Sequence, residues 1–192
     1  MSSELSPWNL PPIQILFDSK IQKLNLALGN WNVQNVRDDD AFDNSVERLK
    51  NSILLTPIVI GEPKVSNLRS ENKKFAPNYN NPFGGNRTVN VITVNFPVAG
   101  SIELFDYSTN GYSLSTSDTA IYKQYSDEII IEVIVDTLDR DAAITAANKK
   151  MRTTLKHISQ VNPAAVTWSQ GIEPVLVIRA NVKRQEILAL YR

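Results

Sequence analysis

The chain has one histidine, His157, and any Ser-His-Asp relay or histidine-based zinc site would have to recruit it. It falls inside a predicted helix, one residue before the apolar stripe member Ile158, and reads as a surface or boundary histidine. There is no cysteine, which excludes disulfides, thiol catalysis and thiolate metal sites together. Carboxylates are densest at Asp38, Asp39, Asp40 and Asp43. A calcium loop needs alternating oxygens, a glycine and a distal glutamate, and that order is absent, so helix capping explains the cluster more simply. Glu128 and Glu132 flank an isoleucine run without the lysine that a Glu-x-Lys nuclease strand requires. Phe83-Gly84-Gly85-Asn86 lacks the Gly-Lys-Ser/Thr of a phosphate cradle and leads into no helix signal. The reading is therefore of a protein that is not an enzyme, with no catalytic, cofactor-binding or metal-ligating residues. Catalysis by carboxylates alone, from Asp38, Asp40 and Asp43, ranks last among the alternatives, because sequence cannot bring them into one cleft.

Charge offers more. The 192 residues have a net charge of zero, yet from Arg140 onward nine Lys or Arg stand against three acids, a local +6 that leaves −6 on the remainder. The basic residues Lys149, Lys150, Arg152, Lys156, Lys183 and Arg184 are the candidate contacts to nucleic acid or to an acidic partner. The same asymmetry is self-complementary, since unlike ends of neighbouring copies attract. Overall neutrality and the absence of a recognisable nucleic-acid motif favour a protein partner or a homo-oligomer over nucleic acid.

The elements that position these residues follow from periodicity. Ile13, Leu16, Phe17, Lys20, Ile21, Leu24 and Leu28 recur at threes and fours, predicting a helix over 13–31 that Gly29 and Asn30 end. A second helix is expected from Asp40 as N-cap, with Phe42, Val46, Leu49 and Ile53 on one face and Pro57 as its stop. Ile58, Val59 and Ile60 suggest a short strand ending at Gly61. Residues 62–86, rich in Asn, Pro, Ser, Lys and Gly, read as a loop or linker and as the domain boundary. From Arg87 the period becomes two through Val98, with one phase slip that suggests a bulge. The alternation resumes at Ile102, Leu104 and Tyr107, then past an Asn110-Gly111 turn at Tyr112 and Leu114. Residues 129–135, apolar on both faces, predict a central strand. Phe96, Phe105, Tyr107, Tyr112, Tyr122 and Tyr125 are expected mostly as core or cross-strand pairs.

In the last third, Asp139 or Asp141 caps a helix with Ala143, Ala147, Met151, Leu155 and Ile158 on one stripe. Asn162-Pro163 looks like the start of another helix. Residues 172–190 are ambiguous between strand and helix, with Gly171 and Pro174 weakening the helical reading. No apolar stretch approaches the ~20 residues that span a bilayer, and 1–10 lacks the basic start of a secretory signal, so a cytoplasmic protein with no membrane partner is expected.

The run Val94-Asn95-Phe96-Pro97-Val98-Ala99-Gly100-Ser101-Ile102-Glu103-Leu104-Phe105-Asp106-Tyr107-Ser108 precedes an acid-bounded apolar strand and a helix ending Ile158-Ser159-Gln160-Val161-Asn162. This pattern resembles the non-catalytic region of uncharacterised bacterial proteins that sometimes carry a C-terminal restriction-endonuclease-like domain. The resemblance implies that the last segment is helical and forms a two-helix hairpin against an antiparallel sheet. It also implies a sensing or scaffolding role in a bacterial, antiviral (antiphage) defence system, with any effector a separate polypeptide. The expected architecture is α+β: an antiparallel sheet packed against a C-terminal helical hairpin, after a small N-terminal helical region. Its divisions are 1–61, 62–86 and 87–192. The expected role is an interaction or scaffold protein touching its partner through 141–190, with a nucleic-acid-binding module as the alternative.

Overall fold

The computed structural model describes residues 10–75, 85–109, 122–124, 127–135 and 138–191, and it is α+β. The chain order is helix α1 (Ile13–Gly29), a short α2 (Val33–Val36), α3 (Asp39–Ile53), strands β1 (Val59–Ile60), β2 (Lys64–Phe75) and β3 (Gly85–Ala99), a 3-10 turn (Ile102–Asp106), β4 (Tyr122–Gln124), β5 (Glu128–Val135) and α4 (Arg140–Ala189). These elements fall into two compact units. A sheet unit is drawn from Ile58–Ile102 and Ser113–His157, and a helical unit from Leu10–Pro57, Glu103–Tyr112 and Ile158–Arg192.

In the sheet unit all pairing is antiparallel around β3. One edge of β3 carries β2, from Lys64 opposite Asn95 to Phe75 opposite Gly85, and then β1, with Ile60 opposite Val98. The other edge carries β5, from Asn90 opposite Val135 to Pro97 opposite Glu128, and β4 adds three residues beyond β5. Val91, Ile92, Thr93 and Val94 are all buried, so β3 is covered on both faces. Gly61 sits where β1 gives way to β2. Its N–H donates to the Pro97 carbonyl at 2.7 Å, and a Cβ there would stand 3.2 Å from the Pro97 Cβ.

The helical unit has three long helices, with the short α2 between α1 and α3 in the chain, and the directions of the long ones follow from their contacts. Phe17 stacks on Trp168 at 4.9 Å and Arg179 donates to Asn25 at 2.7 Å, so α1 and the second half of α4 run in the same direction. Leu55 bonds Ser169, Lys50 pairs with Glu173 and Asp39 pairs with Arg184, so α3 runs against them. Leu24, Leu28, Phe42, Val46, Leu49, Ile53, Leu176, Ala180 and Ile187 form the core. Ser108 is buried here and ties the 3-10 segment to the entry of α1. Its N–H donates to the Pro11 carbonyl at 3.0 Å, and its own carbonyl accepts from Ile13 at 2.9 Å.

Several expectations are corrected. Residues 62–86 do not read as a loop throughout: Lys64–Phe75 is a twelve-residue strand, and Gly85 and Asn86 open β3. Composition hides this strand because polar pairs hold it: Ser70 donates to Asn90 at 2.7 Å, and Thr88 to Asn72 at 2.6 Å. Residues 129–135 are a central strand as expected, β5 lying between β3 and β4, but Glu132 and Ile134 are exposed, and it is β3 that is covered on both faces. Ile102–Asp106 coils instead of continuing the alternation, after Gly100 turns the chain at φ 100°. The suggested turn at Asn110-Gly111 and the alternation at Tyr112 and Leu114 lie outside the described residues. The C-terminal part is one fifty-residue helix and not a hairpin. Asn162-Pro163 starts nothing, and the ambiguous 172–190 is helical.

Candidate interaction surface

The six basic candidates divide between the two units. Lys149, Lys150, Arg152 and Lys156 belong to the sheet unit, Lys183 and Arg184 to the helical unit. The helix that presents all six begins at Asp139, whose carboxylate accepts from the backbone N–H groups of Asp141 and Ala142 at 2.9 and 3.2 Å. Such a cap satisfies donors that the first helical turn leaves orphaned. The stripe this helix buries runs through Ala143, Ala147, Met151, Thr154, Ile158, Val161 and Ala165. Leu155, expected on that stripe, is 45% exposed. Steps of strictly four residues drift by about 40° each at 3.6 residues per turn, which carries position 155 off the buried arc. The same geometry buries His157, correcting its reading as a surface or boundary residue.

Lys149, Arg152 and Lys156 recur at intervals of three and four and are exposed. Lys150 turns back on the sheet, its ammonium donating to the Glu132 carbonyl at 3.0 Å. Partial burial, then the nearby Lys73 ammonium, pull its pKa below the ordinary lysine range. Lys183 and Arg184 are differently engaged. Lys183 lies 3.4 Å from Glu186 on the same helix. Arg184 pairs with Asp39 at 2.5 Å and lies over the Phe42 ring at 4.6 Å, so its guanidinium is part of the α3–α4 packing.

Several of the acidic groups have structural roles. The Asp38 carboxylate accepts from the Ala41 N–H at 2.7 Å and is the N-cap of α3, the role sequence gave to Asp40, while Asp39 serves Arg184. Glu132 is an exposed strand acid but not a lone one. Arg69 reaches it at 2.8 Å and also meets Glu71 at 3.0 Å and the Thr93 hydroxyl at 3.2 Å, joining β2, β3 and β5. Lys73 and then Arg69 hold the Glu71 carboxyl below the usual carboxylate range. Among the described residues, no group of three or more His, Asp or Glu side chains is placed to hold a metal ion, and no helix is long and apolar enough to cross a membrane.

Sequence reasoning missed a second apolar stripe on α4. Val175, Ile178 and Val182 are 37%, 62% and 54% exposed, at spacings of three and four, while Leu176, Ala180 and Ile187 are buried. The signal in the sequence is an excess of apolar residues for a one-faced helix, which by itself reads as strand–helix ambiguity. Comparison with protein families, with curated proteins and with solved structures finds no match to this chain.

Proposed function

We propose that the chain is a non-catalytic interaction protein that associates with a second copy of itself through the outer face of the second half of α4. The observation that carries this reading is the exposed Val175-Ile178-Val182 stripe on a helix whose other apolar face is already buried. Continued at the same spacing, the stripe takes in Gly171, Gln185 and Ala189, about 27 Å of helix with no charged residue on the seam. Apolar seams at threes and fours are what paired helices bury against each other. A second copy is favoured as occupant because the molecule is neutral overall, so copies carry no net charge that would hold them apart. A sensing or accessory role in the cytoplasm within a bacterial antiphage system, which the resemblance implies, fits a protein whose work is contact.

The chain's lack of cysteine makes a clean test. An Ile178→Cys variant, oxidised mildly at micromolar concentration, should form a disulfide-linked dimer, whereas Asn67→Cys on β2 should stay monomeric on a denaturing gel. Cross-linking of Asn67→Cys with none from Ile178→Cys would contradict the proposed face.

A further inference from the structure

The sheet unit's part of α4 carries a surface that self-association through 171–189 does not use. Between Asp141 and Glu173 the helix has four Lys or Arg and no acid. A solvated helix face ordinarily intersperses acids that pair at i,i+4, and like charges at that spacing destabilise the helix. Here Arg152 and Lys156 are i,i+4 neighbours, and Lys149 and Arg152 are i,i+3 neighbours, all exposed. Among the described residues neither Lys149 nor Arg152 enters an ion pair. Beside the stripe, Lys73 of β2 lies close enough to lower the Lys150 pKa, while Glu132 of β5 acts in the opposite sense.

We infer that the Lys149-Arg152-Lys156 stripe, flanked by Lys150 and Lys73, is a contact surface for the phosphate backbone of a nucleic acid. At 1.5 Å per residue the stripe places three cations along about 10.5 Å of helix, a row of one sign that complements the continuous negative charge of a phosphate backbone. No described aromatic residue has a place on this stripe on which a base could stack. An acidic protein segment is the outcome the experiment must separate.

The test is fluorescence polarisation of the whole chain with labelled 20-mer single-stranded and duplex DNA of two unrelated sequences, from 50 to 200 mM salt. Binding should be indifferent to sequence. If three phosphates are engaged on duplex, affinity should fall roughly 40-fold across that range, from a slope of about −0.9 per phosphate. K149Q/R152Q/K156Q should abolish most of the binding while thermal melting stays unchanged, and K183Q, already paired with Glu186, should bind as the parent does. I178E/V182E, aimed at the self-association seam, should still bind DNA, which keeps the two readings separable. No binding of either DNA at 50 mM salt would overturn the inference. So would binding that the triple variant leaves intact, or a triple variant that loses only self-association.

Discussion

Arg184 and Asp38 look at the level of sequence like groups free to meet a ligand, one in a basic run and one in an acidic cluster. In the folded chain both are structural. Arg184 joins α4 to α3 by an ion pair with Asp39 and by lying over Phe42, and Asp38 caps α3. A spacing rule can find a cap to within a residue or two, as the expectation at Asp40 did, but which of three consecutive aspartates turns inward depends on backbone geometry. Asp38→Ala should cost about 1 kcal/mol of stability, measured by urea denaturation, because it leaves an N-terminal donor of α3 unsatisfied. Glu71 makes a pH prediction. Its pKa is depressed in the folded state by Lys73 and Arg69, so its contribution is in place above the unfolded carboxyl pKa and is lost as pH falls through the lower folded value. Melting temperature followed from pH 6 downward should therefore decline less steeply for Glu71→Gln than for the parent chain.

At the level of elements, what the sequence revealed depended on whether hydrophobic burial or polar pairing specifies the structure. The face of α3 was legible in full, Phe42, Val46, Leu49 and Ile53 being the buried residues, and that of α1 nearly so: Ile13, Leu16, Phe17, Leu24 and Leu28 are buried, and Lys20 and Ile21 only partly. β2 was illegible, because Ser66, Ser70 and Asn72 hold it to β3 through side-chain hydrogen bonds and leave no apolar period to detect. α4 was legible in halves. Proline at 163 lacks the N–H that a helix interior uses, and at position 174 the same loss recurs. Both prolines are exposed and eleven residues apart, about three turns, on one side of the helix. Packing of Leu176, Ala180 and Ile187 in the helical core outweighs the local penalty, a tertiary effect no propensity scale contains. Pro163→Ala should accordingly raise stability, by up to about 3 kcal/mol, seen as a higher denaturation midpoint. Leu176→Ala, at a fully buried position, should lower it by about 2–5 kcal/mol.

On the scale of the whole molecule, division by composition at 62–86 gave way to two units that each draw on separated stretches of chain. α4 contributes its first part to one unit and its second part to the other, so the six basic candidates, adjacent in a linear reading, belong to different surroundings. The two proposed surfaces fall on different units, the basic stripe on the sheet unit and the apolar seam on the helical unit. The apolar seam carries the central claim, and mass in solution tests it most directly. Size-exclusion chromatography with light scattering across a hundredfold range of concentration should show the parent chain moving toward twice its 21.5 kDa, and I178E/V182E remaining at 21.5 kDa with an unchanged helical signal. A parent chain that stays at 21.5 kDa at every concentration, or a dimer that the double variant leaves intact, would contradict the account.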